Sequence, residues 1–211
     1  FAILIWSLID HAVLLEISLS SWFIYLTHWS LALQLVYLVL AVYTTYRAQN
    51  DREDARLPAF VIAAQVFGNM MLLVSALVFL LYWVLVFDPA RGVKVLNVFT
   101  HGVNFVIMVV DALFNRQPIY LSHVLFGVAY AFIYLVWTLI FFAANLTDGQ
   151  GNSFIYAAID WSDPGGTGPL VAVLLFVALP VIYVFFVGFY QAEKHICKQQ
   201  HGDSDSAVVN V

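Results

Sequence analysis

Five stretches of the chain, residues 17–46, 57–87, 95–110, 117–147 and 164–192, contain no Asp, Glu, Lys or Arg. Their apolar residues run on without the period-two alternation of a half-buried strand. A bilayer core about 30 Å thick is crossed by about 20 residues of apolar helix, so each stretch is long enough, or nearly so, to span it. The pattern predicts an all-α, polytopic transmembrane bundle of six helices, near 1–15, 21–46, 59–87, 95–114, 119–143 and 169–190. Pro58, Pro118 and Pro169 stand at or just before helix starts, where a missing N–H costs nothing. Asp88-Pro89 and Asp163-Pro164-Gly165-Gly166 read as turns, and Pro180 is expected to kink the last helix. Phe1 already lies inside an apolar run, so the first helix is expected to be truncated. A signal peptide fits poorly there, since no basic segment and no small-residue cleavage site precede Asp10. Residues 191–211 are expected to form a disordered cytosolic tail.

Composition removes the alternatives. The 211 residues are 63% hydrophobic and only 10% charged, against about 25% charged in a soluble domain. Soluble helices are amphipathic, whereas these are apolar all round. A membrane β-barrel would alternate in polarity over segments of about ten residues. A net charge of −5 with no basic patch argues against nucleic acid. Cys197 is the single cysteine, which excludes an intrachain disulfide. It stands beside Lys194 and Lys198, just past the last helix, as a candidate for palmitoylation. Val209-Asn210-Val211 resembles the hydrophobic C-terminus that a PDZ groove accepts.

Charge also predicts orientation. Arg47, Arg52, Arg56, Arg116, Lys194 and Lys198 fall on one side of the bundle, and only Arg91 and Lys94 on the other. Basic residues accumulate in the cytosol, so both termini are expected there, in a plasma or endomembrane protein. The longest loop, about 144–168, then faces outward and carries Asn145-Leu146-Thr147, a candidate glycosylation site. Trp22, Trp29, Tyr82, Trp83, Tyr120 and Trp137 read as an interfacial aromatic belt. No internal repeat suggests a transporter, and a channel would need a charged pathway.

Function should sit with the polar groups that remain among the spans, because such groups are costly in lipid. In the fourth helix Asn97, His101, Asn104, Met108 and Asp111 recur on one face, a stripe about 21 Å long. The fifth carries His123, Gly127, Tyr130, Tyr134 and Trp137 in a matching stripe. Thr27, Ser30 and Gln34 lie on the second helix, and Gln65 and Asn69 on the third. For most of these, interhelical hydrogen bonding is sufficient explanation. Depth sorts the remainder. Thr27 and His101 both lie about 8–9 Å inside the outer end of their helices, with Asn104 one turn deeper. Asp111 and His123 lie at the cytosolic end, where the carboxylate could orient the imidazole. A hydroxyl beside an imidazole is the minimum for nucleophilic acyl transfer. His101 would take the proton from Thr27, and Asn104 could donate to an oxyanion. A zinc site built from His28, His101, His123 and Asp111 is disfavoured because His123 lies at the opposite depth. Neither metal nor cofactor is expected.

In these same segments the chain resembles the rolling stone family of polytopic membrane proteins. The matching pieces are W-F-I-Y-L-T-H-W at 22–29, H-G-V-N-F-V-I-M-V-V-D at 101–111, P-I-Y-L-S-H-V at 118–124, Y-x-x-x-Y-L-V-W at 130–137 and F-I-Y-x-x-x-D-W-S-D-P-G at 154–165. The resemblance implies six membrane helices and, through the insect founder of the family, a role in cell–cell contact or myoblast fusion. It also implies distant kinship with the androgen-induced membrane hydrolases, which cleave fatty-acid esters of hydroxy fatty acids with a Thr nucleophile and a His partner. Thr27 falls on their threonine, and His101-Gly102-Val103-Asn104 on their H-G-x-H. Asn104 replaces the second histidine, and Asn cannot act as a base. Either His101 serves instead, or this branch has lost the hydrolysis. Membrane lipids, a lipid ester or a membrane protein are the partners these readings imply.

Overall fold

The computed structural model describes residues 2–11, 19–50, 58–115, 117–148 and 150–208; for residues 19, 20, 48–50, 91 and 196–208 it describes the backbone alone. The described residues are helical, in the order α1 (Ala2–Ile9), α2 (Leu19–Trp22), α3 (Leu26–Asn50), α4 (Ala59–Leu81, continued by a π-helical turn Tyr82–Val86), α5 (Val95–Asn115), α6 (Leu121–Ala143) and α7 (Pro164–Val173, a π-helical turn Leu174–Ala178, then Leu179–Val208). Five of them, α3 to α7, are long and apolar enough to cross a membrane. The protein is a multi-pass helical membrane bundle.

The centre of the bundle is α4. Every residue from Gly68 to Val78 is buried, which is why this segment has no polar face: α3, α5, α6 and α7 all pack against it. Small residues set the approach of the helices. A Cβ on Gly127 of α6 would lie 2.5 Å from Leu73 Cδ2 on α4, so the missing side chain is what lets the two helices meet. Tyr37, Met71, Leu73, Met108, Leu179 and Tyr183 complete the core with no exposed surface. Lipid-facing residues such as Val42, Phe114 and Phe176 are more than 70% exposed, as expected where the surrounding solvent is itself apolar.

Several sequence expectations are corrected. The expected 21–46 helix is broken into α2 and α3 by a reversal at 23–25. Side chains from the new helix satisfy the carbonyls left open: His28 Nδ1 bonds Trp22 O, and Trp29 Nε1 donates to Phe23 O. The last helix begins at Pro164 rather than Pro169. Asp163 accepts from Gly166 N at 3.2 Å and Pro164 fills the first helical position, a cap-and-proline start. The π turn Leu174–Ala178 lies just before Pro180, where a wider turn accommodates a ring that cannot donate to the preceding turn. Residues 191–208, expected to be a disordered tail, continue α7. No proline interrupts them, and Gln, Ala, Glu and Lys propagate a helix already nucleated in the bundle. Cys197 lies on this extension, with its side chain outside the described ones; residues 209–211, Arg52, Arg56 and Arg116 also lie outside the described residues. Of the expected aromatic belt, Trp22 is buried, Trp29, Tyr82, Trp83 and Trp137 are half-buried and Tyr120 is exposed, so Trp22 alone is corrected. Trp22 is 2% exposed and donates to Ser7 Oγ at 3.1 Å. Trp29 meets Tyr134 and Trp137 edge-on or tilted. Tyr120, 53% exposed, keeps a belt position.

Candidate functional site

A cavity of about 310 Å³ opens at the end of the bundle formed by residues 19–25, 82–95 and the long loop after α6. Three local features build it. First, the π turns Tyr82–Val86, Val98–Val103 and Leu174–Ala178 each contribute wall residues, among them Tyr82, Leu85, His101, Leu174 and Leu175. A π turn carries an extra residue per turn and widens the helix locally, and such turns are frequent at functional sites. Second, the reversal at 23–25 brings Tyr25, Thr27 and His28 to the rim. Third, the long loop closes over the top.

That loop is ordered by its own polar groups. Asn145 takes a left-handed conformation (φ 53°) after α6. Its N–H donates to Phe142 O at 3.0 Å and that of Leu146 to Phe141 O at 3.1 Å, the two bonds of a Schellman cap. Asp148 then accepts from Gln150 N, Asn152 N and Asn152 Nδ2 at 2.8, 2.8 and 2.9 Å. Trp161 Nε1 donates to Thr138 Oγ1 at 3.0 Å and Thr167 Oγ1 to Asp160 O at 2.6 Å, which pins the second half of the loop to α6 and α7. The loop can therefore hold Tyr156 inside the bundle. Its hydroxyl accepts from Leu26 N at 3.2 Å. Burial pushes the Tyr156 phenol up to about 12, against the opposing pull of the polar groups around it. Tyr25 is also raised, by burial first and then by the Asp148 carboxylate.

Thr27, His28 and His101 all line the cavity, together with Asp10, His11, Asn97 and Thr100. His28 stacks on Trp22 (centroids 4.3 Å, planes 3° apart) and meets His11 edge-on at 6.0 Å. His101 stacks on Tyr82, and its Nδ1 is buried without a hydrogen-bond partner. The expected meeting of Thr27 and His101 is thus realised as a shared cavity. No hydrogen bond joins them. Asn104 stands apart from the lining. It is buried, and its carbonyl accepts from Gln34 Nε2 at 3.4 Å. The π turn at 98–103 explains why: it rotates the helix, bringing Thr100 to the wall. Among the described residues, no three His, Cys, Asp or Glu are grouped as metal ligands.

Asp111 and His123 lie at the far end, as depth predicted, but with separate partners. Asp111 accepts from Tyr37 Oη at 2.5 Å and Asn115 Nδ2 at 2.7 Å. His123 Nδ1 lies 2.9 Å from Asn69 Nδ2, which also donates to Pro118 O at 2.9 Å. Gln65 donates to the same carbonyl and Gln117 to Tyr37. These bonds clamp the 115–123 connection onto α3 and α4, the structural role the sequence assigned to Gln65 and Asn69. Tyr25, Tyr156, Asp10 and His11 also line the cavity and were not legible as site residues; Tyr156 in particular lies in the outer loop, too far along the chain for helical spacing to connect it with α3.

Comparison with known proteins places these residues in a wider group. The family model described as "Protein rolling stone" matches residues 1–202. The curated protein rolling stone of Drosophila melanogaster is 26% identical over 129 residues, covering 60% of this chain and 46% of that protein. The chain spans about half the length of the curated relative it matches. No solved structure matches the chain.

Proposed function

Because the chain belongs to the rolling stone family, we propose that it is a multi-pass membrane protein of cell–cell contact or fusion whose loop-side cavity is a binding site and not a hydrolytic one. The observation that carries the second half is that Thr27 and His101 share the cavity without a hydrogen bond between them, the His101 Nδ1 being buried with no partner. A nucleophilic threonine needs a base within about 3.2 Å. Asn104, in place of a second histidine, lies outside the cavity. The contact role rests on the family. It is supported by a folded loop, residues 144–163, standing at the end of the bundle with the fewest basic residues, which we take to face outward with both termini in the cytosol. A membrane protein on an apposed surface is the partner this reading implies.

The competing reading, an intramembrane hydrolase of lipid esters, draws on one observation: Thr27 and His101 line one cavity. Labelling with a fluorophosphonate probe separates the two. Wild type and Thr27→Ala are expected to label equally; a signal that disappears with Thr27 overturns the binding reading. For the contact role, cells lacking the protein are mixed with cells carrying it, and content mixing is scored. Mixing is expected to fall when both populations lack the protein and to recover on re-expression. Unchanged mixing overturns it.

A further inference from the structure

The cavity walls also define what would fit. Its 310 Å³ is at the small end of the range of about 300–1,000 Å³ for ligand sites. A cavity at that end of the range suits one chain better than the two chains of a membrane lipid. Its lining is mixed: Thr27, His28 and His101 supply polar groups, and Leu81, Leu135 and Leu175 apolar ones. Charge narrows the choice further. Among the described side chains no Lys or Arg lines the cavity, whereas Asp10 does, so an anionic headgroup would meet no counter-ion among them, an arrangement costly in an apolar site. The His101 ring lines the cavity, held by its stacking contact with Tyr82, and its buried Nδ1 has no hydrogen-bond partner. Entry is from the bilayer side. Leu85 and Val86 belong to the wall, yet are 43% and 45% exposed in the last turn of a membrane-spanning helix.

We infer that the cavity binds one uncharged single-chain amphiphile taken from the adjoining leaflet, its hydroxyl or ester headgroup against Thr27, His28 and His101 and its chain among Leu81, Leu135 and Leu175. The inference rests on the reading of Thr27 as a hydrogen-bonding group that is not a nucleophile.

The test uses the full chain in phosphatidylcholine nanodiscs and a medium-chain monoacylglycerol carrying a diazirine in its chain. Cross-linking is expected to saturate and to map by mass spectrometry to residues 77–86, 96–101 and 174–179. An alkanol of matching chain length is expected to compete at least tenfold better than the corresponding fatty acid at pH 8. Leu135→Trp, which fills the chain end, is expected to lower cross-linking at least fivefold. The competition series on wild type decides the matter if that variant does not fold. Non-saturable labelling confined to lipid-facing residues such as Val39 and Phe185, or a fatty acid that competes as well as the alkanol, overturns the inference. Release of free fatty acid from the bound probe would instead overturn the non-hydrolytic reading and leave binding intact.

Discussion

Tyr82 lies flat on His101, ring centroids 3.7 Å apart and planes within 4°. The two residues stand on π turns of neighbouring helices, so the contact joins two of the three places where the cavity wall departs from α geometry. The Tyr82 hydroxyl is held in turn by Asn97 Nδ2 at 2.5 Å. An aromatic pair contributes about 0.5–1.5 kcal/mol beyond burial and a hydrogen bond about 1 kcal/mol. Tyr82→Phe is therefore expected to lose about 1 kcal/mol and Tyr82→Leu about 2 kcal/mol, read as unfolding free energy in mixed micelles. Equal losses in the two variants would show that the ring contact contributes nothing.

Gly127 is expected to tolerate no side chain. The nearest atom to a new Cβ would be Leu73 Cδ2 at 2.5 Å, with Cγ at 3.3 Å. Leu73 is fully buried, so it has no solvent-facing rotamer to adopt. Overpacking of this kind costs about 1–3 kcal/mol, and Gly127→Ala should fall in that range. Leu73→Ala in the same background opens space, so the double variant is expected to be more stable than the two single losses summed. Strict additivity would place the strain elsewhere.

The contrast between these two sites shows what was legible in the sequence. Charge-free runs fixed the five long spans, because their signal is local and solvent-driven. The shared depth of Thr27 and His101 followed from counting residues inward from the ends of their helices. Three things were not legible. The π turns depend on tertiary packing, so the face carrying Asn97, His101 and Asn104 was read with α spacing, and Asn104 was placed in a site it does not enter. Trp22 lies toward a helix end, where belt and core positions look alike, and beside the turn at 23–25 it is buried. Tyr156 reaches Leu26 across 130 positions of chain, and only the folded loop connects them.

The Tyr156 phenol gives the fold a dependence on alkaline pH. Burial raises it to about 12 from the ordinary value near 10 in the unfolded chain. The folded chain holds this proton more tightly, so the stabilisation is complete below pH 10 and is lost as pH rises from 10 through about 12. Tyr156→Phe removes the acceptor of Leu26 N and is expected to cost about 1–2 kcal/mol at pH 8. Thermal midpoints of wild type and variant in detergent should differ by a constant amount between pH 7 and 9 and converge above 10. A gap that stays constant to pH 12 would show that this phenol does not couple to folding.

Asn145 serves two roles that mutagenesis can separate. Its left-handed backbone ends α6 through two hydrogen bonds, and its exposed side chain begins the sequon Asn145-Leu146-Thr147. Asn tolerates this conformation, whereas most residues pay about 1–2 kcal/mol. Asn145→Gln should therefore lose both the glycan and about 1 kcal/mol of stability. Thr147→Ala should lose the glycan alone, and Asn145→Gly should lose the glycan while keeping the cap. Glycans are added only on the lumenal side, so an endoglycosidase shift in wild type also reports that the 144–163 loop faces outward. A second sequon made by Asp51→Asn with Glu53→Thr lies in the connection between α3 and α4, on the opposite side, and is expected to stay unmodified. A glycan at position 51 with none at Asn145 would invert the proposed orientation and put the cavity in the cytosolic leaflet.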